Sequence, residues 1–278
     1  MCSLPMDKSI YGAPTRPRVR GELERNHIEN HRSRQTNCCV KWTLRGVNRA
    51  ILVPPFLDGD RNDLVLEAAR LHPDRFAAMG RFDLEDPASR RLIPTCRQQP
   101  GMLGFRYSFH RPALTSTLTE GRVDWLWEGA EKAGIPIMVH VPHSMVHLID
   151  RAAERYPGLK LVMDHLSLPM RKKDEEAFRD LDKLLALAKR PNVAVKVSAL
   201  PCYTNDTYPY RKLHPFVRRV FDNFGPKRTF WGSDMSRSPS TYRQGITMFT
   251  EEMPWFSADD LEWIMDRGLS QWLDWKPY

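Results

Sequence analysis

The stretch Lys227-Arg-Thr-Phe-Trp-Gly-Ser-Asp-Met-Ser-Arg237 decides how this chain is organised. It begins with polar residues, continues with a short apolar run from Thr229 to Trp231, and ends in Gly232-Ser233-Asp234. Glycine lets the backbone leave a strand at an angle that other residues avoid. The pattern therefore predicts a buried strand with Asp234 at its C-terminal end.

Two earlier runs have the same form and also end in a titratable side chain. They are Ile135-Pro-Ile-Met-Val-His140 and Leu159-Lys-Leu-Val-Met-Asp-His165. If the three strands are parallel, their C-terminal ends meet at one edge of the sheet. The sequence therefore predicts that His140, His165 and Asp234 share one pocket.

Strand-like and helix-like segments alternate along most of the chain. We count seven strand-then-helix units at spacings of roughly 25 to 35 residues, which favours parallel βαβ connections over hairpins. The predicted strands are 47–55, 76–82, 101–109, 135–140, 159–165, 193–198 and a run ending at 234. The predicted helices are 62–71, 87–97, 122–133, 145–156, 175–190, 213–224 and 258–273.

Seven units and an N-terminal segment of uncertain structure approximate the eight units of a TIM barrel, an α/β fold. An open doubly wound sheet that binds nucleotides would show a glycine-rich loop after its first strand, and the sequence has none. We therefore expect a distorted (β/α)8 barrel at 46–278 with an altered or missing first strand, preceded by an irregular segment at 1–45. In that numbering His140, His165 and Asp234 end strands five, six and eight.

Composition excludes several classes of protein. The 278 residues are 41% hydrophobic, and no run of about eighteen apolar residues predicts a membrane span. The first residues lack the basic-then-apolar order of a secretory signal, so we expect a cytoplasmic protein. The five cysteines form neither a CxxC pair nor a disulfide framework.

The formal charge of +8 has two explanations. The basic residues are spread along the chain, apart from a local excess between Arg16 and Arg49, and no nucleic-acid-binding motif accompanies them. A positive field that attracts a small anionic substrate explains the charge without nucleic acid.

The tryptophans of the predicted helices are interpreted as packing residues, and those near the C-terminus leave a homo-oligomer contact open.

Four segments resemble the amidohydrolase-related branch of the amidohydrolase superfamily. They are Pro100-Gly-Met-Leu-Gly-Phe-Arg106, Gly134-Ile-Pro-Ile-Met-Val-His140, Tyr156-Pro-Gly-Leu-Lys-Leu-Val-Met-Asp-His165 and Phe230-Trp-Gly-Ser-Asp234. The resemblance runs from about residue 46 to about residue 273, and the four segments occur in the right order at the right strands. That branch includes lactonases acting on carboxylated rings and sugar lactones, and decarboxylases of the aminocarboxymuconate-semialdehyde type.

The resemblance implies a distorted TIM barrel in which His140, His165 and Asp234 surround the reaction centre. In such families these positions hold a divalent metal, zinc or manganese, or in metal-free lactonases they position substrate and water. The aspartate takes a proton from the attacking water. The implied activity is opening of a small, carboxylated lactone or ester. A metal-dependent decarboxylase and a catalytically impaired relative are the alternatives.

One part of the family pattern is missing. The pattern begins with Asp-x-His-x-His on the first strand, and nothing in residues 1–45 reproduces it. The nearest candidates are Asp7-Lys-Ser-Ile-Tyr11 and the pair His27 and His31. A catalytic zinc takes three protein ligands and an open position. His140, His165 and Asp234 supply three donors, so metal-bound and metal-free states both stay open.

A carboxylated substrate needs donors in fixed positions. Arg106 is the best candidate, because a guanidinium forks onto a carboxylate. The further substrate-binding candidates are His143, Lys196, Tyr203 and Arg237. Each has a structural alternative: Arg106 as a surface ion pair, Lys196 as a barrel-wall residue paired with an acid, Asp234 as the cap of a turn. His110, in a predicted helix or loop, is interpreted as a solvated or hydrogen-bonded structural residue.

Overall fold

A computed structural model describes residues 47–55, 59–110 and 112–276, without the side chains of residues 112 and 113. The predicted irregular segment at 1–45 lies outside these residues, as do the candidates Asp7, Tyr11, His27 and His31 for the altered first strand. The boundary predicted between residues 45 and 46 therefore stays a prediction.

Seven parallel strands form one sheet in sequence order within the described residues. They are β1 Ala50–Leu52, β2 Phe76–Gly80, β3 Met102–Ser108, β4 Ile137–His140, β5 Leu161–Met163, β6 Val193–Ser198 and β7 Thr229–Gly232. Each strand pairs only with its neighbours in the chain, from β1 with β2 to β6 with β7. This curled sheet with helical connections is the distorted TIM barrel that the sequence predicts.

Two strand ends differ from the sequence prediction. β5 ends at Met163 and β7 at Gly232, so His165 and Asp234 each follow a strand by two residues, whereas His140 is the last residue of β4. These two residues, which follow their strands, have a positive φ, 52° for His165 and 45° for Asp234. The backbone has therefore already turned when it presents these two side chains.

Helices and turns connect the strands. The α-helices are α1 Asp63–Leu71, α2 Pro112–Thr119, α3 Asp124–Ala133, α4 Val146–Arg155, α5 Asp174–Phe178, α6 Leu181–Leu185, α7 His214–Phe224, α8 Tyr242–Thr250, α9 Ala258–Glu262 and α10 Gly268–Leu273. The 3₁₀ segments include Pro87–Leu92, Cys96–Gln98, His143–Met145 and Ala186–Lys189, and a π turn, Trp263–Arg267, joins α9 to α10. Among the described helices, none combines the length and the apolar character that crossing a membrane requires.

The helix predictions were partly wrong. The helix predicted at 175–190 is broken into α5, α6 and a 3₁₀ turn, and 87–97 forms 3₁₀ turns only. Two helices were missed. α2 is rich in threonine, a poor helix former. α8 carries a readable signal, because Thr241 and Gln244 form a capping box at its start.

The barrel interior changes from apolar to polar along the barrel axis. Near the N-terminal ends of the strands, inward side chains form an apolar plug, which Leu273 and Trp275 of the C-terminal segment cover. The strand residues of this plug are Ile51, Ala77, Met79, Leu103, Met138, Val162, Ala194 and Phe230. Inward positions recur every second residue, so the next ones are His140 after Met138 and Lys196 after Ala194. The polar interior thus lies at the C-terminal ends of the strands.

A second apolar layer lies between the sheet and the helices. Helix α4 contributes Val146, Ile149, Ala152 and Ala153, which are buried at helical spacing. Trp127 of α3 is 2% exposed and belongs to the same layer. The role of Trp127 as a packing residue is therefore confirmed, and this layer holds the strands in place around the polar end of the barrel.

Candidate functional site

A cavity of about 520 Å³ opens at the C-terminal ends of the strands. Loops after β1, β2, β3, β5 and β7 and the ends of β3 and β4 form its walls. Its polar lining comprises Asp60, Arg81, Asp83, Arg106, Ser108, His110, His140, His165, Asp234, Ser236 and Arg237. Its position is the one at which TIM-barrel enzymes carry their active sites.

His140, His165 and Asp234 lie together on this wall. The His140 and His165 rings are perpendicular, with centroids 5.1 Å apart. His165 Nε2 lies 3.5 Å from Asp234 Oδ2, and His165 Nδ1 is hydrogen-bonded to Ser198 Oγ at 2.8 Å. The structure therefore brings together the three residues that the sequence assigns to one pocket.

Asp164, which precedes His165, is the centre of a buried ionic cluster. It accepts hydrogen bonds from Arg106 Nε and from Lys196 Nζ, each at 2.7 Å. Burial alone would raise the pKa of Asp164, but the two cations outweigh it and hold the pKa well below its usual range. Lys196 is fully buried and does not line the cavity. Lys196 therefore fits its structural alternative, a barrel-wall residue paired with an acid.

Arg106 and Arg237 are the two predicted substrate-binding residues on the cavity wall. Arg237 Nε donates to Asp234 Oδ2 at 2.7 Å, and Arg237 Nη2 donates to the Tyr203 hydroxyl at 3.4 Å. Tyr203 is 2% exposed and lies behind Arg237, not on the wall. Burial raises the pKa of Asp234, but His165 and Arg237 more than offset this, and the pKa lies below its ordinary value.

His143, also predicted to bind substrate, contacts the loop after β5 instead of the cavity. Its ring is 5% exposed, and its Nε2 lies 2.9 Å from the carbonyl oxygen of Leu166. Since a carbonyl oxygen only accepts, the imidazole donates from Nε2. The direction of the loop after β4, which the sequence does not show, accounts for this placement.

Sequence reasoning missed His110 and Arg81. The His110 ring lies 4.0 Å from the His140 ring, centroid to centroid, on the cavity wall. Arg81 directly follows β2 and donates from Nε to the carbonyl oxygen of Gly59 at 2.6 Å. Each lies within two residues of a strand end, as His165 and Asp234 do, and that shared position was the available signal.

The histidines of the site are neutral near pH 7. Burial, reinforced by neighbouring positive groups, lowers the pKa of His110 to about 4. Burial likewise lowers the pKa of His165 to about 3, although Asp164 and Asp234 oppose the shift. The pKa of His140 is lowered well below its usual value by burial and by the His165 and His110 rings. Each imidazole therefore offers one N–H donor and one lone pair.

The described donors do not fit a three-ligand metal site. No group of three or more His, Cys, Asp or Glu side chains in the described ranges has an arrangement that would hold a metal ion. Asp164 is already bound to two cations, and one nitrogen of His165 is bound to Ser198. The ionised Asp234 can orient a water molecule, and a neutral His140 can donate to a carbonyl oxygen, without a metal.

The sequence model of the family described as amidohydrolase matches residues 41–266. This match covers most of the chain, and the chain belongs to the amidohydrolase family. The family assignment made from the four segments is thereby confirmed.

Two curated relatives are lactone hydrolases. The L-fucono-1,5-lactonase of Burkholderia ambifaria is 26% identical over 203 residues, which are 68% of this chain and 65% of the relative. The 4-sulfomuconolactone hydrolase of Hydrogenophaga intermedia is 23% identical over 199 residues, which are 69% of this chain and 62% of the relative. The matched region thus spans less than two thirds of each relative's length.

Solved structures share the fold at lower identity. An amidohydrolase from Burkholderia multivorans with bound HEPES has a TM-score of 0.73 at 18% identity, over 86% of this chain and 88% of that one. A second crystal form of it contains zinc. The 5-carboxyvanillate decarboxylase of Novosphingobium aromaticivorans, crystallised with manganese, has a TM-score of 0.63 at 17% identity, over 86% and 79% of the two chains. These likenesses establish the fold.

Proposed function

We propose that this protein is a hydrolase that opens a small, carboxylated lactone or related ester with water. The observation that carries the proposal is the pairing of Arg106 with Asp164 at the cavity wall. The Asp164 carboxylate holds Arg106 through Nε, and the two terminal nitrogens of Arg106 have no hydrogen-bond partner among the residues described. A guanidinium held in this way is oriented to fork onto the carboxylate of a ligand.

Asp234 is the proposed base. Its carboxylate is ionised near pH 7, since its pKa lies below the ordinary value. It takes a proton from a water molecule, whose oxygen then bonds to the lactone carbonyl carbon. The ring C–O bond breaks, the leaving oxygen takes the proton from Asp234, and the product is a hydroxy acid.

His140 is the proposed donor to the developing oxyanion, and His165 is the proposed partner of Asp234. Both rings are neutral, so neither competes with Asp234 for a proton, and the N–H group of His140 stabilises negative charge. Ser198 and Asp234 orient the two nitrogens of His165. His140 Nε2 is buried and has no hydrogen-bond partner among the described residues, so a small rotation of the ring would present it to the substrate.

Whether a metal takes part is a separate proposal. Zinc and manganese are the metals found in the two structural relatives, but we propose that the steps above run on the protein's own groups, because the described donors do not form a three-ligand set.

The expectations of a cytoplasmic protein, of no nucleic-acid or membrane partner, and of a possible homo-oligomer stay predictions.

The experiment that tests the proposal combines elemental analysis with a panel of carboxylated and neutral lactones, assayed before and after chelation. Turnover of carboxylated lactones that survives chelation supports the proposal. Turnover lost on chelation and restored by zinc or manganese would instead make His140, His165 and Asp234 metal ligands. Release of carbon dioxide from an aromatic or muconate-type carboxylate would identify the decarboxylase, and a folded protein without turnover would identify the impaired relative.

A further inference from the structure

Asp164 and His165 are neighbours in the chain, yet both side chains face the barrel interior. Asp164 contacts Arg106 and Lys196, and His165 contacts Ser198 and Asp234. In an extended strand, successive side chains point to opposite faces. The chain can place both inward only by leaving the strand between them.

The departure is a left-handed turn of three residues. His165, Leu166 and Ser167 have φ values of 52°, 52° and 55°, and none of them is glycine. A left-handed conformation is unfavourable for an L-residue, because its Cβ crowds the following carbonyl oxygen. Such a turn persists only when surrounding contacts hold it.

Two side-chain hydrogen bonds hold the turn, besides the backbone bond that the Leu168 N–H donates to the His165 carbonyl oxygen at 3.1 Å. The first joins His165 Nδ1 to Ser198 Oγ, at the end of β6, and fixes the imidazole. The second joins His143 Nε2 to the Leu166 carbonyl oxygen and fixes the backbone at the middle of the turn. Leu166 is fully buried and His143 is 5% exposed, so this carbonyl oxygen depends on His143 for its side-chain donor.

We propose that His143 is a positioning residue that clamps the left-handed turn, so that His165 faces Asp234 while Asp164 keeps its contacts with Arg106 and Lys196. His143 itself does not contact the substrate. The kinetic part of this inference depends on the proposed lactonase function, whereas the geometric part does not.

The test compares substitutions that keep or remove the donor. His143→Gln keeps an N–H near the position of Nε2, and His143→Leu keeps the bulk without a donor. A misplacement of about 1 Å can lower the rate about 100-fold, so we expect kcat to fall about 10- to 100-fold in His143→Leu. We expect it to stay within about threefold in His143→Gln. His147→Leu, at an exposed position of α4, is the matched control.

A spectroscopic measurement makes the test independent of activity. The imidazole ¹⁵N resonances of His165, assigned from their loss in His165→Gln, report its tautomer and its bond to Ser198. They should move or broaden in His143→Leu and keep their wild-type positions in His143→Gln and His147→Leu. If the protein opens none of the lactones offered, the proposed function fails, while these resonances still decide the role of His143.

A folded His143→Leu variant with unchanged His165 resonances would overturn the inference. If that variant does not fold, His143→Gln and His143→Asn carry the test, since both are amides and only the longer glutamine reaches the Leu166 carbonyl. Equal His165 spectra in the two amide variants would then overturn it. Perturbation confined to His143→Asn would support it.

Discussion

Asp164 shows how one residue organises the polar end of the barrel. The fully buried carboxylate joins Arg106 of β3 to Lys196 of β6, at 2.7 Å each. A buried charge without partners would be strongly unfavourable, and removal of one partner from such a cluster leaves the others uncompensated. Arg106 is therefore rigid before any ligand arrives, which is the property expected of a carboxylate receptor.

Asp234→Asn tests the proposed base. The amide cannot take a proton from water, and loss of a general base lowers kcat by about 10²- to 10⁴-fold. Initial rates on a carboxylated lactone measure the effect. Asp222→Asn, the same change on the exposed face of α7, should leave kcat unchanged. Retention of more than about a tenth of the wild-type kcat in folded Asp234→Asn would contradict general-base catalysis by this residue.

Arg106→Lys tests the carboxylate receptor. Lysine keeps the positive charge beside Asp164 but loses the forked pair of donors. Charged hydrogen bonds contribute about 1.5–3 kcal/mol, so KM for a carboxylated lactone should rise about 10- to 100-fold. KM for a neutral lactone with the same ring should hardly change. An equal rise in KM for both substrates would show that Arg106 shapes the cavity and does not bind the carboxylate.

At the scale of elements, the pairing of β2 with β3 determines where Arg106 lies. The register shifts between Ala78, paired with Met102, and Met79, paired with Gly104. A Cβ atom at Gly104 would lie 2.3 Å from the carbonyl oxygen of Pro136. Glycine is therefore required where β3 approaches the start of β4, two residues before Arg106.

Gly104→Ala should accordingly destabilise the fold. The added methyl group meets backbone, which cannot rotate away, and overpacking of this kind costs about 1–3 kcal/mol. Urea unfolding followed by circular dichroism measures the change in the free energy of unfolding. Gly245→Ala in α8 is the control, because a Cβ there would lie 4.0 Å from its nearest neighbour outside the helix backbone, Ser240 Oγ. Equal stability of the two variants would rule out the close approach at Gly104.

At the scale of the whole molecule, the apolar plug and the polar cavity lie at opposite ends of the barrel. The plug lies at the N-terminal ends of the strands, and Leu273 and Trp275 cover it. The polar cavity at the C-terminal ends contains histidines that burial keeps neutral, with the pKa lowered to about 4 at His110 and about 3 at His165. These histidines take up protons in the unfolded chain at a higher pH than in the folded one.

This difference predicts how stability depends on pH. An unfolded histidine has a pKa of about 6.5, and the folded pKa of His165 is depressed. The stability it contributes is therefore fully present above pH 6.5 and is lost as the pH falls toward about 3. The free energy of unfolding should decrease from pH 7 to pH 5, by up to about 1.4 kcal/mol per pH unit for each such histidine.

Urea unfolding at pH 7, 6 and 5 measures this slope. His165→Gln should flatten it, since glutamine does not titrate. His147→Gln should leave the slope unchanged, because His147 is exposed. A slope that His165→Gln does not alter would mean that His165 binds protons equally in the folded and unfolded states.

The sequence by itself determined the succession of strands and the residues at their ends. Apolar runs of strand length that end at glycine, proline or a polar residue predicted all seven described strands. The same runs predicted that His140, His165 and Asp234 lie at one edge of the sheet. These features are local, because a strand and its end are specified by a few neighbouring residues. The catalytic roles of the three residues stay predictions.

Only the tertiary structure decided which polar side chains meet. Asp164 lies inside one of the quoted segments, but its partners Arg106 and Lys196 are 58 and 32 residues away in the chain. His143 turns to the Leu166 carbonyl and Tyr203 lies behind Arg237, because the paths of the loops depend on how the strands curl around the axis. Contacts between distant segments leave no periodic trace in the sequence, and the site is made of such contacts.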